Sequence, residues 1–595
     1  MSTFGPTRRM RVWALLFLAV SIASPGRAQE PPTFELPEVV VPGKRPQPLG
    51  TSPAAVTVIT RTDLDRLGVR TVADALRLVP ELVVRPTGAL GSLALPSVRG
   101  STTTQVLVLL DGVPLNNVAQ GQADLSTIST DGIERIEVLR GPFAATYGSG
   151  AVGGVINIVT SRNRRGQALV SGGSLQDRSF HVQVGSGGTG PSWQIGLTAD
   201  STQGHRPNSD YGGTTIVANA TFTPTLRATI HYFDAALGTP GGIATPMPTN
   251  RQAEQRALAQ VGWGREDKVG LTGRLYYLGD HLTFSSPFGS SVYTSVLAGG
   301  ELQHVWLLDA GHVVTGGLEL QRQSLNAMVF GSPIVRETLI GAGYLQYDAA
   351  LSAQLLTSIG VRVDAHSAYG AAVNPRAGVV YHISDETRFR AAVGRTFRGP
   401  TFLELYYPTC TNPDLRPEYA WAGEVGLERS VGGGVLGVTV FGNESRDLIV
   451  GFPCPPRNLG AAAVRGITGD LRMPAGEGWT VAVDVTVQRA YDQTNGAPLL
   501  RVPDVTAHLA VTHQLTPESL VALTGEYVGT RSDTDFPVTV QMPPYVELRL
   551  RYQVALMSGW SITAGVNNIL DQPYEAVKGF PVPGRTFFVT ATQRF

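Results

Sequence analysis

The sequence predicts an all-β transmembrane barrel of 22 antiparallel strands, with an N-terminal α+β domain plugging its lumen. Three observations carry that expectation. The chain opens with an export leader, after which no apolar run is long enough for a spanning helix. From about Gly166 onward, apolar and polar residues alternate with period two. Ten short turns then recur at intervals of about 35 to 47 residues.

The leader comes first in the chain. "TRRMR" is followed by "VWALLFLAVSIA", an apolar core of about a dozen residues, and then by "SPGRAQE" with small residues at Gly26 and Ala28. This is the pattern of a secretory signal peptide over residues 1–28, too short to span a bilayer. Arg8 and Arg9 form a twin-arginine pair, but a barrel has to cross the inner membrane unfolded, which argues against export in the folded state. An exported chain that meets a membrane without apolar helices does so as a barrel.

Composition agrees. Charged residues are 16%, against about 25% in ordinary soluble domains. Glycine is abundant, with 69 among 595 residues, where about 7% is usual; low charge and much glycine suit long sheets and tight turns. Net charge is zero, which removes the basic surplus that nucleic acid binding requires. Cys410 and Cys454 are the only cysteines. In an oxidising compartment such a pair invites a disulfide, and no neighbouring His or Cys completes a metal site.

Residues 29–47 precede the first domain. "ELPEVVVPGKRPQP" places Val39, Val40 and Val41 between prolines that keep the chain extended. Such a segment suits β-augmentation by a partner protein, and a plain linker is the alternative. Residues 48–163 have a globular texture. "TVADALRLVP" reads as a short helix with Thr71 as N-cap, Asp74 three residues on and Pro80 as stop. "TQVLVLLDGVPLNN" and "IERIEVLRG" read as strands, with Asp111-Gly112 as a turn.

The stretch from Gly148 to Gly153, GSGAVG, matches the dinucleotide pattern G-x-G-x-x-G. That pattern needs a following helix whose N-terminus holds the pyrophosphate. Here "VINIVT" follows, a β-branched run that reads as a strand, so a nucleotide site is not expected.

Residues 164–595 supply the barrel. In "YVELRLRYQV", Val546, Leu548, Leu550, Tyr552 and Val554 share one face, and Glu547, Arg549, Arg551 and Gln553 share the other. An outer-membrane barrel turns the apolar face to lipid and the polar face to a hydrated lumen. Short turns fall near Gly185, Phe222, Gly264, Leu308, Asp348, Ser384, Ser430, Pro474, Leu515 and Leu556. Ten turns separate eleven hairpins, hence 22 strands with both ends on one side. A barrel that wide leaks unless something fills it. The chain closes on "GRTFFVTATQRF", whose Phe587, Val589, Ala591 and Phe595 share a face.

At this point the chain resembles the TonB-dependent outer-membrane receptors over nearly its whole mature length. The plug motifs of that family are matched by "SVRGSTTTQVLVLLDGVPLN", "IERIEVLRGP" and "TYGSGAVGGVINIVT". Barrel motifs are matched by "RTFRGPTFLELYYP", "NPDLRPE", "GVNNILDQPY" and the terminal aromatic. By resemblance the plug motif comprises Arg99, Gly100, Asp111, Gly112, Arg140, Gly141, Tyr147, Gly148, Gly153 and Gly154, with Gly148, Gly150, Gly153 and Gly154 permitting tight turns and close packing. Glu38, Val39, Val40, Val41 and Pro42 resemble the energy-coupling TonB box, although Pro42 and Gly43 depart from its polar ending. Cys410 and Cys454 then fall on outward loops of adjacent hairpins. A bridge closing about 44 residues stabilises by about 4 kcal/mol in the chain-entropy account.

The resemblance implies active transport of a scarce metal chelate, a ferric siderophore or cobalamin, driven through the periplasmic transducer TonB. Outer-membrane lipids are the other expected partner; no cofactor, no nucleic acid and a monomer are expected. The loop "GHRPNSDYGGTT" resembles the cobalamin receptors but lacks a dense acidic cluster. Asn208 and Asp210 are too few for calcium, which takes six to eight oxygens, and read equally as turn residues. Tyr211, Phe330, Tyr369, Tyr406 and Tyr407, with Phe284, Phe288 and Tyr293, fall in or near outward loops, as ligand contacts or as part of the interfacial aromatic girdle.

Other classes fit less well. A passive porin has no folded N-terminal domain or coupling segment, and uptake of another solute such as an oligosaccharide remains an alternative. A hydrolase needs Ser or Asp with His in reach, and His205, His281, His304 and His382 sit in no catalytic signature, so the chain is not expected to be an enzyme. A signalling receptor carries an extra periplasmic domain, for which about nine residues between Ala28 and Glu38 leave no room.

Overall fold

The computed structural model describes residues 39, 40, 44, 45 and 47–595, apart from residues 163, 164, 189, 266–268, 452, 453, 459 and 536. The expected leader, and Glu38, Val41 and Pro42 of the expected coupling box, lie outside the described residues. Twenty-two strands hydrogen-bond in chain order into a closed barrel. Closure joins the first strand, Gln167–Gly173, to the last, Thr586–Arg594, antiparallel from Gln167 opposite Arg594 to Gly173 opposite Phe588. Each of the ten short stretches connects two strands at one end: Pro224 and Thr225 link Tyr211–Thr223 to Leu226–Gly238, and Gly432 and Gly433, at φ 57° and 80°, link Glu418–Val431 to Gly434–Arg446. An even strand number leaves both barrel termini at this short-turn end. The opposite end carries the long loops, and hairpins such as Gly270–Ser286 with Gly289–Asp309 project beyond it.

The period-two pattern sorts the two faces of the wall. On Tyr545–Ala555, Leu550 and Tyr552 are exposed outside, while Glu547, Arg549 and Arg551 are buried in the lumen. Trp193, Trp306, Trp479 and Trp560 are exposed next to short turns, a ring of amphipathic side chains at one rim of the apolar belt. No helix among the described residues is long and apolar enough to cross a membrane.

Inside sits the N-terminal domain. Its sheet has the order Val56–Thr60, Ile133–Arg140, Gly154–Thr160, Val106–Leu110, Val113–Pro114, with the Gly154–Thr160 and Val106–Leu110 pair parallel and the others antiparallel. Asp111 and Gly112, at φ 49° and 82°, make the tight turn expected of them, and the Asp111 carboxylate accepts from the Thr160 amide at 2.9 Å. Thr71 caps the helix Val72–Leu76 by accepting from the Asp74 amide. That helix ends at Leu76, before the expected stop at Pro80, because the chain turns into a strand, Leu82–Pro86. A second helix, Arg61–Leu67, starts at a Thr60/Asp63 capping box and ends at Gly68 in the left-handed region.

The core of this domain runs from Val72, Leu76, Leu82, Val106, Ile136 and Ile156 onto the barrel residues Leu258, Tyr276, Leu278 and Leu297. Apolar packing is therefore shared with the wall. Charged contacts hold the rest. The turn at Arg99 and Gly100, φ 49° and 69°, aims Arg99 at two carboxylates, Glu81 of the plug at 2.5 Å and Glu424 of the barrel at 2.6 Å, with the guanidinium over Phe441. Glu424 also accepts from the Ala55 amide at 2.7 Å and pairs with Arg390. Arg77 forms a second anchor, at 2.7 Å from Glu526, 2.8 Å from Glu547 and 2.8 Å from the Tyr574 hydroxyl. Charges this deeply buried persist only when paired.

Burial alone raises the Glu81 carboxyl pKa, but Arg99 and Arg140 outweigh it and hold the group below its ordinary value. A carboxylate lowered on folding contributes stability above its unfolded value, about 4.3, and loses it as pH falls through the folded value. The protection factors of the Ile133–Arg140 amides, taken relative to intrinsic exchange at each pH, should therefore fall below about pH 4. Glu81→Gln should destabilise the plug by about 3 kcal/mol at neutral pH and flatten that acid dependence; an unchanged profile would contradict the assignment.

Candidate functional site

Two ends of the plug matter. At the short-turn end, Val39–Val40 pairs antiparallel with Gln47–Pro48, so the valine segment is extended there. Lys44 follows it into the wall: its ammonium lies 2.7 Å from Glu301 and 3.3 Å from Glu319, and 5.0 Å from the Tyr344 ring centroid. Gln303 donates to the Lys44 carbonyl at 3.0 Å, and Arg45 pairs with Asp348 at 3.2 Å. Glu319 also accepts from Arg362, which donates to the Thr146 carbonyl of the plug. A cavity of about 250 Å³ opens beside these groups, lined by Lys44, Asp111, Arg135, Arg274 and Glu301.

The plug-motif residues are placed by close contact. Gly141, at φ 77°, faces Glu424, and a Cβ there meets a carboxylate oxygen at 2.7 Å. Gly148, at φ 92°, lies against Arg362 in the same way, at 2.9 Å. Gly153 and Gly154 have no left-handed backbone; a Cβ on them meets Ser101 Oγ at 2.4 Å and the Leu139 carbonyl at 2.5 Å. The strand Gly154–Thr160 follows directly, so the GSGAVG stretch holds no helix N-terminus for a phosphate. Arg140 donates to the Pro80 carbonyl at 3.1 Å and to Thr57 at 2.9 Å, tying three plug segments together. Tyr147 packs on Leu107, Leu109 and Leu139.

At the long-loop end, Arg398 pairs with Glu418 at 2.7 Å and Glu404 at 2.9 Å. Those pairs fix a short helix, Phe402–Tyr406, which starts at a Thr401/Glu404 capping box. The helix rests on the plug: the Leu403 amide donates to the Ala119 carbonyl at 3.1 Å. Tyr293, Phe402, Tyr406 and Tyr407 pack together with Ala119, Leu325 and Ile334, and Arg336 stacks on Tyr406 at 4.5 Å. Alongside lies a cavity of about 140 Å³ lined by Asn116, Asn117, Arg362, Tyr369 and Phe402. The Gly150 amide reaches the Phe397 carbonyl at 3.1 Å, and Gly399 donates to Ser149 at 2.9 Å. Pockets that enclose a small ligand usually measure about 300 to 1,000 Å³, so neither cavity can engulf a large solute without rearrangement.

The expected aromatic contacts separate. Tyr406 and Tyr407 sit in the cluster above, and Tyr369 stacks on His366 beside the cavity, with ring centroids 3.7 Å apart. Phe330 is exposed at the tip of another hairpin, at φ 45°. Tyr211 is a correction: it is buried beneath Leu90 of the plug, because the Gly91 turn brings the plug apex onto it, and it presents nothing to the outside. Asn208, at φ 58°, donates to the Met247 and Asn250 carbonyls, and Asp210 pairs with Arg251 at 2.7 Å, so both are engaged within the loops. Among the described residues no group of three metal-ligating side chains occurs. Cys410 and Cys454 form a disulfide with Cα atoms 5.3 Å apart, joining two neighbouring long loops.

The residues that carry most of this geometry have no distinguishing local pattern. Lys44, Arg77, Glu301, Glu319, Glu424 and Glu547 look in sequence like any charged residue on a lumen-facing position. The capping pattern "TRTD" at Thr60 and "TFLE" at Thr401 is the one legible signal for the two helices it opens.

Comparison with known proteins agrees with this geometry. Residues 48–155 match the TonB-dependent receptor plug domain, and residues 139–569 match the TonB-dependent receptor-like β-barrel. The vitamin B12 transporter BtuB of Photobacterium profundum is 26% identical, covering 94% of this chain and 95% of the relative. Among solved structures, the ferric enterobactin receptor PfeA of Pseudomonas aeruginosa superposes with a TM-score of 0.77 at 19% identity, covering 92% of this chain and 100% of that one. The siderophore receptor PirA of Acinetobacter baumannii gives 0.77 at 18% identity, covering 92% and 98%. The ferric-catecholate import receptor Fiu of Escherichia coli gives 0.78 at 16% identity, covering 93% and 98%. The two family matches together span most of the sequence, and the chain belongs to the TonB-dependent receptors, the plugged β-barrels of the outer membrane.

Proposed function

We propose that this receptor imports a scarce metal chelate, a ferric siderophore or cobalamin, across the outer membrane by energy-coupled transport. One observation carries the reading: the aromatic helix Phe402–Tyr406 at the long-loop end is bonded directly to the plug through Leu403 and Ala119. A solute resting on Tyr406 and Tyr407 thus bears on the element that closes the lumen. The transport activity of the B12 relative and the siderophore receptors of like fold support the choice of solute class.

In this reading residues 1–28 are the leader, 29–47 the coupling segment, 48–163 the plug and 164–595 the barrel. TonB engages Glu38, Val39, Val40, Val41 and Pro42, and pulls. Lys44 lies just behind that segment, so the first contacts to carry the load are its pairs with Glu301 and Glu319. The chain acts as a monomeric transporter embedded in outer-membrane lipid and performs no chemistry on its cargo.

Equilibrium binding to the purified receptor should show saturable binding of one class, labelled cobalamin or a ferric catecholate, that an excess of the other class does not displace; binding of neither would contradict the chelate assignment. Tyr406→Ala combined with Tyr407→Ala should weaken that binding about tenfold or more. Deleting residues 38–42 should abolish accumulation in cells while binding persists. Accumulation that survives the deletion would return the chain to passive diffusion.

A further inference from the structure

The plug meets different arcs of the wall in different ways. Across Arg251–Trp263, Gly270–Ser286 and Gly289–Asp309, Leu258 is opposite Leu278 and Leu278 opposite Leu297, a row of buried leucines that joins the plug core. At the seam where the barrel closes, the lumen-facing row is short and polar. Thr563 is opposite Thr590, Thr590 opposite Ser171, Ser171 opposite Ser179, and Ser179 opposite Asp200. One step nearer the short-turn end, Ser561 is opposite Thr592. Small hydroxyl side chains do not interdigitate with a neighbouring domain as leucines do, and space is left between plug and wall.

Two cavities occupy that space, one above the other. The lower, about 90 Å³, is lined by Gln167, Thr563, Thr590, Thr592 and Arg594, and Arg594 ends its strand at the short-turn end. The upper, about 210 Å³, reaches Ser174, Leu175, Asn567, Gly584 and Thr586 at the long-loop end of the same strands. The two have six lining residues in common: Gly68, Arg70, Thr71, Leu90, Ser126 and Phe588. By contrast, the cavities beside Lys44 and beside Tyr369 have only Tyr147 in common. Polar spaces of this size hold water, so a hydrated path follows the seam from one end of the wall to the other, interrupted where the shared residues stand.

Most of those residues do not fill the gap. Gly68, Thr71 and Ser126 are small, and Leu90 is packed on the cluster of Tyr211 and Phe233. Phe588, opposite Gly565 and Gly173, leans along the wall: an added Cβ on Gly565 would meet its ring at 2.4 Å, and Arg551 covers it at 4.6 Å. Arg70 reaches across from the plug, 2.5 Å from Asp177 and 3.6 Å from Asp200. The Asp177 carbonyl accepts from the Gly173 amide at 2.9 Å, which sets it level with Phe588, and Asp200 belongs to the Thr590 row. One side chain thus bridges plug and wall at the level where the cavities meet.

We infer that this seam is a passive path for small hydrated ions, requiring no movement of the plug as a whole, and that Arg70 closes it at rest. Without the Arg70 guanidinium, Asp177 and Asp200 outnumber Arg551 at the constriction and favour cations. With the guanidinium present but released from both carboxylates, the same constriction favours anions.

The test is single-channel recording of the full receptor in a planar bilayer under a potassium chloride gradient, with neither transducer nor cargo. Wild type should be almost silent. Arg70→Ala should open about tenfold more often, with a reversal potential displaced towards that of potassium. Asp177→Asn with Asp200→Asn should open as well, displaced towards chloride; this variant keeps Arg70 and carries the test should Arg70→Ala not yield a heat-modifiable barrel. Filling the row with Thr563→Leu and Thr590→Leu in the Arg70→Ala receptor should silence it again. Arg472→Ala, which breaks a different pair between plug and wall, with Asp63 at 2.8 Å, should stay as silent as wild type. Silence of both opening variants, the same selectivity in both, currents that survive the leucines, or equal currents from Arg472→Ala would overturn the inference.

Discussion

Twenty-two strands close around a lumen that the inward side chains of the wall cannot fill by themselves, and every other feature answers that constraint. The lumen lining is polar because alternation leaves no other face for polar residues once the apolar face meets lipid. A polar lining dense in Arg and Glu is stable only if each charge meets an opposite one. The plug adds partners of its own: Arg99 for Glu424, Arg77 for Glu526 and Glu547, Lys44 for Glu301 and Glu319. Glu424, Glu301, Glu319 and Glu547 also hold wall arginines, so removing a plug member weakens a buried cluster rather than stranding one charge.

The same pairing gives the molecule a direction. Apolar packing of the plug onto Leu258, Tyr276, Leu278 and Leu297 is broad and insensitive to orientation. The ion pairs are local and follow one another along the plug chain. Lys44 comes first, Arg77, Arg99 and Arg140 follow, and beyond them Ala119 meets the aromatic helix at the long-loop end. Force applied at the valine segment meets Lys44 before it meets the core. At the outer end, a solute resting on Tyr406 and Tyr407 bears on the plug through the Leu403 contact with Ala119. The two ends are joined through Thr146 and Gly148, which both touch Arg362, itself bonded to Glu319.

Much of the fold is legible in the sequence because barrel strands obey a two-residue period and their short turns are rich in Gly, Pro and Asp. All ten turn stretches from Gly185 to Leu556 connect strands at one end, and the Asp111-Gly112 turn and Thr71 cap form as their residue types dictate. What the pattern does not reveal is pairing across hundreds of residues. Glu424 and Arg99 are 325 positions apart, and nothing local distinguishes Glu424 from Glu428 on the same strand. Aromatic positions show the same limit. Tyr211 and Tyr406 both adjoin loops in the sequence, yet the plug apex covers Tyr211 and leaves Tyr406 beside a cavity lined by its helix. Register sets a further limit: Arg465 and Arg489, 24 positions apart, become neighbours only when the pairing of two strands is known.

The central claim is that paired charges hold the plug and yield in order from the coupling end. Pulling on a handle at position 39 of the receptor in a bilayer measures this directly. The account predicts that the plug extends in steps while the barrel stays folded, with the first step lost in Lys44→Ala and a later one in Arg99→Ala. Unravelling of barrel strands before the plug, or a single rupture indifferent to both substitutions, would contradict it.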